Sequence, residues 1–195
     1  MSYAIQPYSV SLAALEKCLG SRKRRLVKKL CREFGNGFAE IDELDEGSVP
    51  MERALTHLVM GEGLDENSGS KYGYALELLC GHFGHVLSNR CWSAMRSAWT
   101  EAVDEALVEV GVAPEQFSVN AHLVSRGSPI PLPPIDDFPA IGYLGVEEIP
   151  SIAGVLAQSV GAGVEDAEIG DSITEIRNWL SRCGRDHTDL VCFYS

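Results

Sequence analysis

The chain closes on AspLeuValCysPheTyr (189–194), a β-branched and aromatic run with the composition of a strand. It opens on TyrAlaIleGlnProTyr (3–8), short, partly alternating and aromatic. Pro7 cannot donate to a ladder, so this first strand suits a sheet edge. A third strand signal is AlaIleGlyTyrLeu (140–144). Between these runs the apolar residues recur with helical spacing. Strands at both extremes with helices between predict an α+β fold: a mainly helical single domain with a small sheet formed by the terminal strands and the strand near 140–144.

Working inward, Ser9 or Ser11 caps a short helix carrying Leu12, Leu15 and Leu19, stopped by Gly20. Ser21 opens a second helix, with Leu26, Val27, Leu30, Cys31 and Phe34 on one stripe and Arg22, Arg25, Lys29 and Arg32 opposite. Gly35, Asn36 and Gly37 stop it, and an acidic connector follows over 40–46. Pro50 sits in the first turn of a helix running to about Met60, with Gly61 as its stop. After a turn-rich loop (61–69), residues 70–88 read as a buried apolar helix. Ser88 then caps the longest helix, 89–110, on the stripe Trp92, Met95, Trp99, Val103, Leu107 and Val110. Residues 117–124 suit strand or loop, and five prolines make 127–139 an extended connector. A helix around 146–159 and a Gly-rich acidic loop (161–170) precede a last helix, capped by Asp171 or Ser172 and closed at Gly184. Without repeats or a long polar linker, 1–195 reads as one domain.

At 195 residues and 45% hydrophobic content, folding hides roughly 70% of the unfolded surface, so no disulfide or metal staple is required. No apolar run approaches the ~18 residues that span a bilayer, and the N-terminus lacks a signal-peptide pattern. A cytoplasmic protein with no membrane partner is expected. The net charge is −12, but residues 1–35 hold eight bases and two acids, +6, which leaves −18 on the remainder. Such a surface repels phosphate backbones, so a nucleic-acid partner is not expected; a basic protein partner is. The six cysteines are irregularly spaced with no CxxC, and read as small buried apolar residues.

Three segments resemble the bacterial YfbM-like family of small soluble proteins. They are the opening strand and Ser-capped helix (3–19), GluArgAlaLeuThrHisLeuValMetGlyGluGlyLeuAsp (52–65), and the closing helix and strand (176–194). The resemblance covers about a third of the chain and implies a similar fold and a cytoplasmic location. It implies no activity.

Several constellations have residue types that carry chemistry elsewhere, each with a structural alternative. Cys80, His82, His85 and Cys91 are zinc-ligand types, but on a helix Cys80 points ~200° from His82, so they do not converge and no metal is expected. Cys183, His187 and Asp189 group a thiol, an imidazole and a carboxylate, yet at a helix C-terminus, which raises a thiol pKa; a C-cap turn is the better reading. No Walker loop, GxSxG or HExxH is present. No catalytic residue and no cofactor is assigned.

The leading expectation is a non-enzymatic interaction module, an immunity or regulatory partner of a basic protein. Its contact residues would be Arg22, Arg24, Arg25, Lys28, Lys29, Asp42, Glu43, Asp45, Glu165, Asp166 and Glu168. The alternative is a small-molecule-binding domain or enzyme with a cleft between the helices and the 127–145 segment. His57, Tyr72, Tyr74 and Tyr143 are its candidate lining, unless they are core aromatics. The oligomeric state is left open.

Overall fold

The computed structural model describes residues 2–43, 48–96, 98–159 and 164–195. Four strands, β1 (Ile5–Val10), β2 (His85–Val86), β3 (Ala140–Leu144) and β4 (Asp189–Tyr194), form one antiparallel sheet in the order β2-β1-β4-β3. The terminal strands pair along their whole length, from Ile5 opposite Tyr194 to Val10 opposite Asp189. The pleat sends Leu190 and Cys192 to one face and Val191 and Phe193 to the other, and all four are buried. That explains why the closing run lacks polar alternation: β4 is covered on both sides.

One face carries α1 (Leu12–Cys18), α2 (Arg24–Phe34), α3 (Phe38–Glu43), α4 (Met51–Met60) and α5 (Gly69–Phe83), whose apolar residues pack with Tyr8, Val10, Ile141, Val191 and Phe193. The other face carries α6 (Trp99–Glu109), a π-helical turn (Asn120–Val124), α7 (Ile149–Ser159) and α8 (Ala167–Asp186), packed with Ile5, Leu144, Leu190 and Cys192. The fold is therefore α+β, with three layers and a core on each side of the sheet.

Local chemistry accounts for the element ends. Ser11 caps α1 by accepting from Ala14 N at 3.3 Å. Gly61 ends α4 with φ +70, and a Cβ there would lie 2.9 Å from the Cα of Gly20, itself at φ +63. That contact, with Gly20 N donating to Leu58 O, pins the α1–α2 turn to the end of α4. Both sheet margins are closed. β2 is only two residues long, and on β3 the carbonyls of Ile141 and Tyr143 accept from Gly127 N and Arg126 Nη1.

Strands β3 and β4 have the expected bounds; other elements shift. Pro7 lies inside β1, which is not an edge; because its carbonyl accepts from Leu87 N, its donorless nitrogen faces the short β2 rather than β4. The expected helix 70–88 stops at Phe83, and the expected helix 89–110 begins only at Trp99. Before Trp99, Trp92 and Met95 are still buried, but from turns tied to the first strand by Ile5 N to Trp92 O and by the Tyr3–Met95 bridge. The second helix starts at Arg24, part of the acidic connector is α3, and 120–124 is neither strand nor loop. The last helix is capped by Asp166, which accepts from Glu168 N and Ile169 N, rather than by Asp171 or Ser172. It runs through Gly184 to Asp186, and His187, at φ 51, turns the chain into β4.

Candidate functional site

The proline-rich segment is a strap laid across the first turns of α5. Gly69 makes this possible, since a Cβ there would sit 1.8 Å from the Pro134 carbonyl oxygen. One turn later, Gly73 lets the side chains of Pro139 and Ile135 approach the helix. Strap, α5 and α3 enclose a cleft of about 400 Å³. Drug-sized ligands occupy clefts of roughly 300–1,000 Å³.

At the helix side of the cleft lies Lys71, 1% exposed. Its Nζ donates to Ile41 O at 2.5 Å and to Asp42 Oδ1 at 3.3 Å, and that same carboxylate accepts from Met51 N at 2.8 Å. A buried ammonium requires such pairing, and here it ties α3, α4 and α5 together. The rim is different. Glu66, Asp136 and Asp137 are exposed and have no cationic partner among the described residues. The walls are aromatic: Tyr74, and Phe138, whose ring lies 5.9 Å from each of Tyr3 and Tyr194. Burial pushes the Tyr74 hydroxyl above its ordinary value, and the charges of Glu77 and Asp137 push the same way. A second, more open groove of about 500 Å³ is lined by strap residues 130–135 and by Val124, Ser125, Gly127 and Ser128.

Of the expected cleft residues, only Tyr74 lines the cleft. His57 and Tyr72 are buried together, with Nδ1 to Oη at 2.8 Å. Arg53 Nε can only donate to His57 Nε2, so Nδ1 carries the proton and donates to Tyr72 Oη, which also accepts from Asp65 N. This pair is core. Tyr143 sits instead on β3 under Arg126, 4.3 Å from the guanidinium, and Glu148 grips that guanidinium with both oxygens.

The zinc-type residues are apart in role. Cys80 is fully buried, His82 packs edge-on against Phe83, His85 is exposed in β2, and Cys91 N donates to Glu175. Among the described residues, no three His, Cys, Asp or Glu side chains are placed to share an ion. Cys183 is buried, and its Sγ contacts Asp189 O at 3.6 Å. Burial, first, pushes its thiol up. The Asp189 carboxylate is engaged by Leu12 N and Val146 N, and His187 is exposed. Nothing there activates a nucleophile.

Arg22, Arg24, Arg25, Lys28 and Lys29 are all exposed, and Lys29 pairs with Glu33 at 3.8 Å. Asp42 and Asp166 serve as internal ties, while Glu43, Glu165 and Glu168 are exposed. Asp45 lies outside the described residues. Sequence reasoning passed over Lys71, Glu66, Asp136, Asp137 and Phe138. A lone lysine among the buried positions of an apolar helix was the available signal. A family model described as a domain of unknown function (DUF7691) matches residues 1–195. No curated protein and no solved structure matches the chain.

Proposed function

The chain belongs to the DUF7691 family, a domain of unknown function, and from that premise we propose that it is a binding module whose strap cleft receives a cationic group. One observation carries the reading: the cleft's lysine is already neutralised by Asp42, whereas Glu66, Asp136 and Asp137 stand uncompensated beside the rings of Tyr74 and Phe138. Carboxylates beside aromatic faces suit an alkylammonium or guanidinium, through charge and through the ring quadrupole. The source that fits the acidic remainder of the surface is a Lys or Arg side chain of a basic protein, for which this chain acts as an immunity or regulatory partner. A small free amine presents the same chemistry and suits the size of the cleft.

The test titrates an oligolysine peptide and, separately, 1,4-diaminobutane into the full chain by calorimetry at low and high salt. Binding of the peptide should weaken with salt and fall about tenfold or more in the Asp136→Asn, Asp137→Asn double variant, a loss of about 1.4 kcal/mol per decade. Glu105→Gln, on the exposed side of α6, should leave it unchanged. Tight binding of the diamine alone selects the small-molecule source. Undiminished binding of both probes by the double variant removes the cleft from the account.

A further inference from the structure

The outer face of α2 is a surface of the opposite sign. Its inner face is fixed by Val27 and Leu30, both buried in the helical layer. On the outer face Arg24, Lys28 and Arg32 follow one another at i, i+4 and i+8, with Arg25 beside them and Arg22 and Lys23 just before. All six are exposed, and none has an acidic partner among the described residues. This arrangement opposes helix formation twice. The first turn of α2 contains no acid, although the positive end of the helix dipole favours one there. Arg24 with Lys28, Lys28 with Arg32 and Arg25 with Lys29 are like charges at the repulsive i,i+4 spacing.

We propose that the outer face of α2 docks a carboxylate-rich segment of a partner protein. Carboxylates laid along this face relieve both unfavourable terms at once; among the described residues only the Lys29–Glu33 pair offsets any of this charge. A second copy related by a two-fold axis through this face is a poor occupant, because it would set α2 against α2, like charge on like. Nucleic acid is a poorer fit than an acidic peptide. A helix of 11 residues is only about 16 Å long, whereas a duplex carries one charge per ~1.7 Å and continues past the patch. Helices α1, α3 and α4 carry exposed Glu16, Glu40, Glu43 and Glu52, whose charge repels a continuing phosphate backbone. A peptide can end where the cations end.

The experiment measures fluorescence anisotropy of a labelled eight-residue glutamate peptide, and of a DNA duplex of ten base pairs, with the full chain at two salt concentrations. The peptide should bind, weaken with salt, and lose at least tenfold affinity in the Arg24→Glu, Lys28→Glu variant. That variant should melt no lower than the native chain, because an acid in the first turn and the conversion of the 28/32 repulsion into attraction offset the like pair that remains at 24 and 28, so loss of binding cannot be put down to unfolding. The Asp136→Asn, Asp137→Asn variant should bind the glutamate peptide as the native chain does, which separates this surface from the cleft. The proposal is overturned by no peptide binding at low salt, by equal binding in the charge-reversed variant, by tighter binding of the duplex, or by self-association that the charge reversal abolishes.

Discussion

Glu77 and Glu175 carry the same functional group in opposite surroundings. Glu77 accepts a hydrogen bond from the Tyr8 hydroxyl at 3.0 Å, and burial drives its carboxyl above the ordinary value despite that bond. Burial would also raise Glu175, but Ser88 Oγ, Cys91 N and Arg90 N all donate to it, and it settles below the ordinary value. The folded state thus holds the Glu77 proton more tightly than the unfolded chain does, so this group removes stability as pH rises above the ordinary carboxylate range. Glu175 adds stability above that range and loses it as pH falls through its depressed value. Urea unfolding at pH 5 and 7 should find Glu77→Gln more stable than native at pH 7, by about 1 kcal/mol. Glu175→Gln should cost about 1–3 kcal/mol, since its amide would set N–H against N–H. The account fails if Glu77→Gln is the weaker protein at pH 7. Neither role was visible in the sequence, where both glutamates are simply charges on helices; the donors to Glu175 come from more than 80 positions away.

At the scale of elements, legibility followed how local the cause was. A serine cap at 9 or 11, which the structure places at Ser11, the Gly61 stop, and strands β3 and β4 rest on neighbours in the chain, and the sequence shows them. The helix expected over 89–110 had the right apolar period, yet Glu175 holds the backbone N–H groups of 90 and 91 in a turn, and no periodicity reports that. The proline-rich composition of the strap was legible. Lys71 and the two aspartates were not, because acids after prolines read as solvated loop. Two glycines make the strap testable. Gly69→Ala should cost about 1–3 kcal/mol, because the added carbon must push the Pro134 carbonyl away. It should also weaken the cationic probe. Gly35→Ala meets nothing within 4 Å at a helical φ of −57 and should be neutral or stabilising by about 0.5–1 kcal/mol. Equal melting temperatures for the two variants would mean the strap does not rest on Gly69.

For the whole molecule, the pairing of terminal strands was readable because the closing run is apolar at nearly every position. How the helices divide between two faces was not, since assignment to a layer depends on contacts made across the sheet. β4 belongs to both cores, so they should melt as one unit. Leu76→Ala in one layer and Leu107→Ala in the other each remove a buried side chain and should cost about 2–5 kcal/mol. Hydrogen exchange at Leu190–Phe193 should quicken by the same factor as global stability falls, whichever layer is cut. Protection of β4 that survives either truncation would show two separable halves.

The sealed margins of the sheet reach further than the single chain. Growth of a cross-β stack begins where one backbone finds free amide and carbonyl groups on another, and here a two-residue strand and an arginine-clipped strand leave almost no such foothold. Crowded copies of the folded protein therefore meet through side chains, where charge and salt govern the encounter and dilution can reverse it.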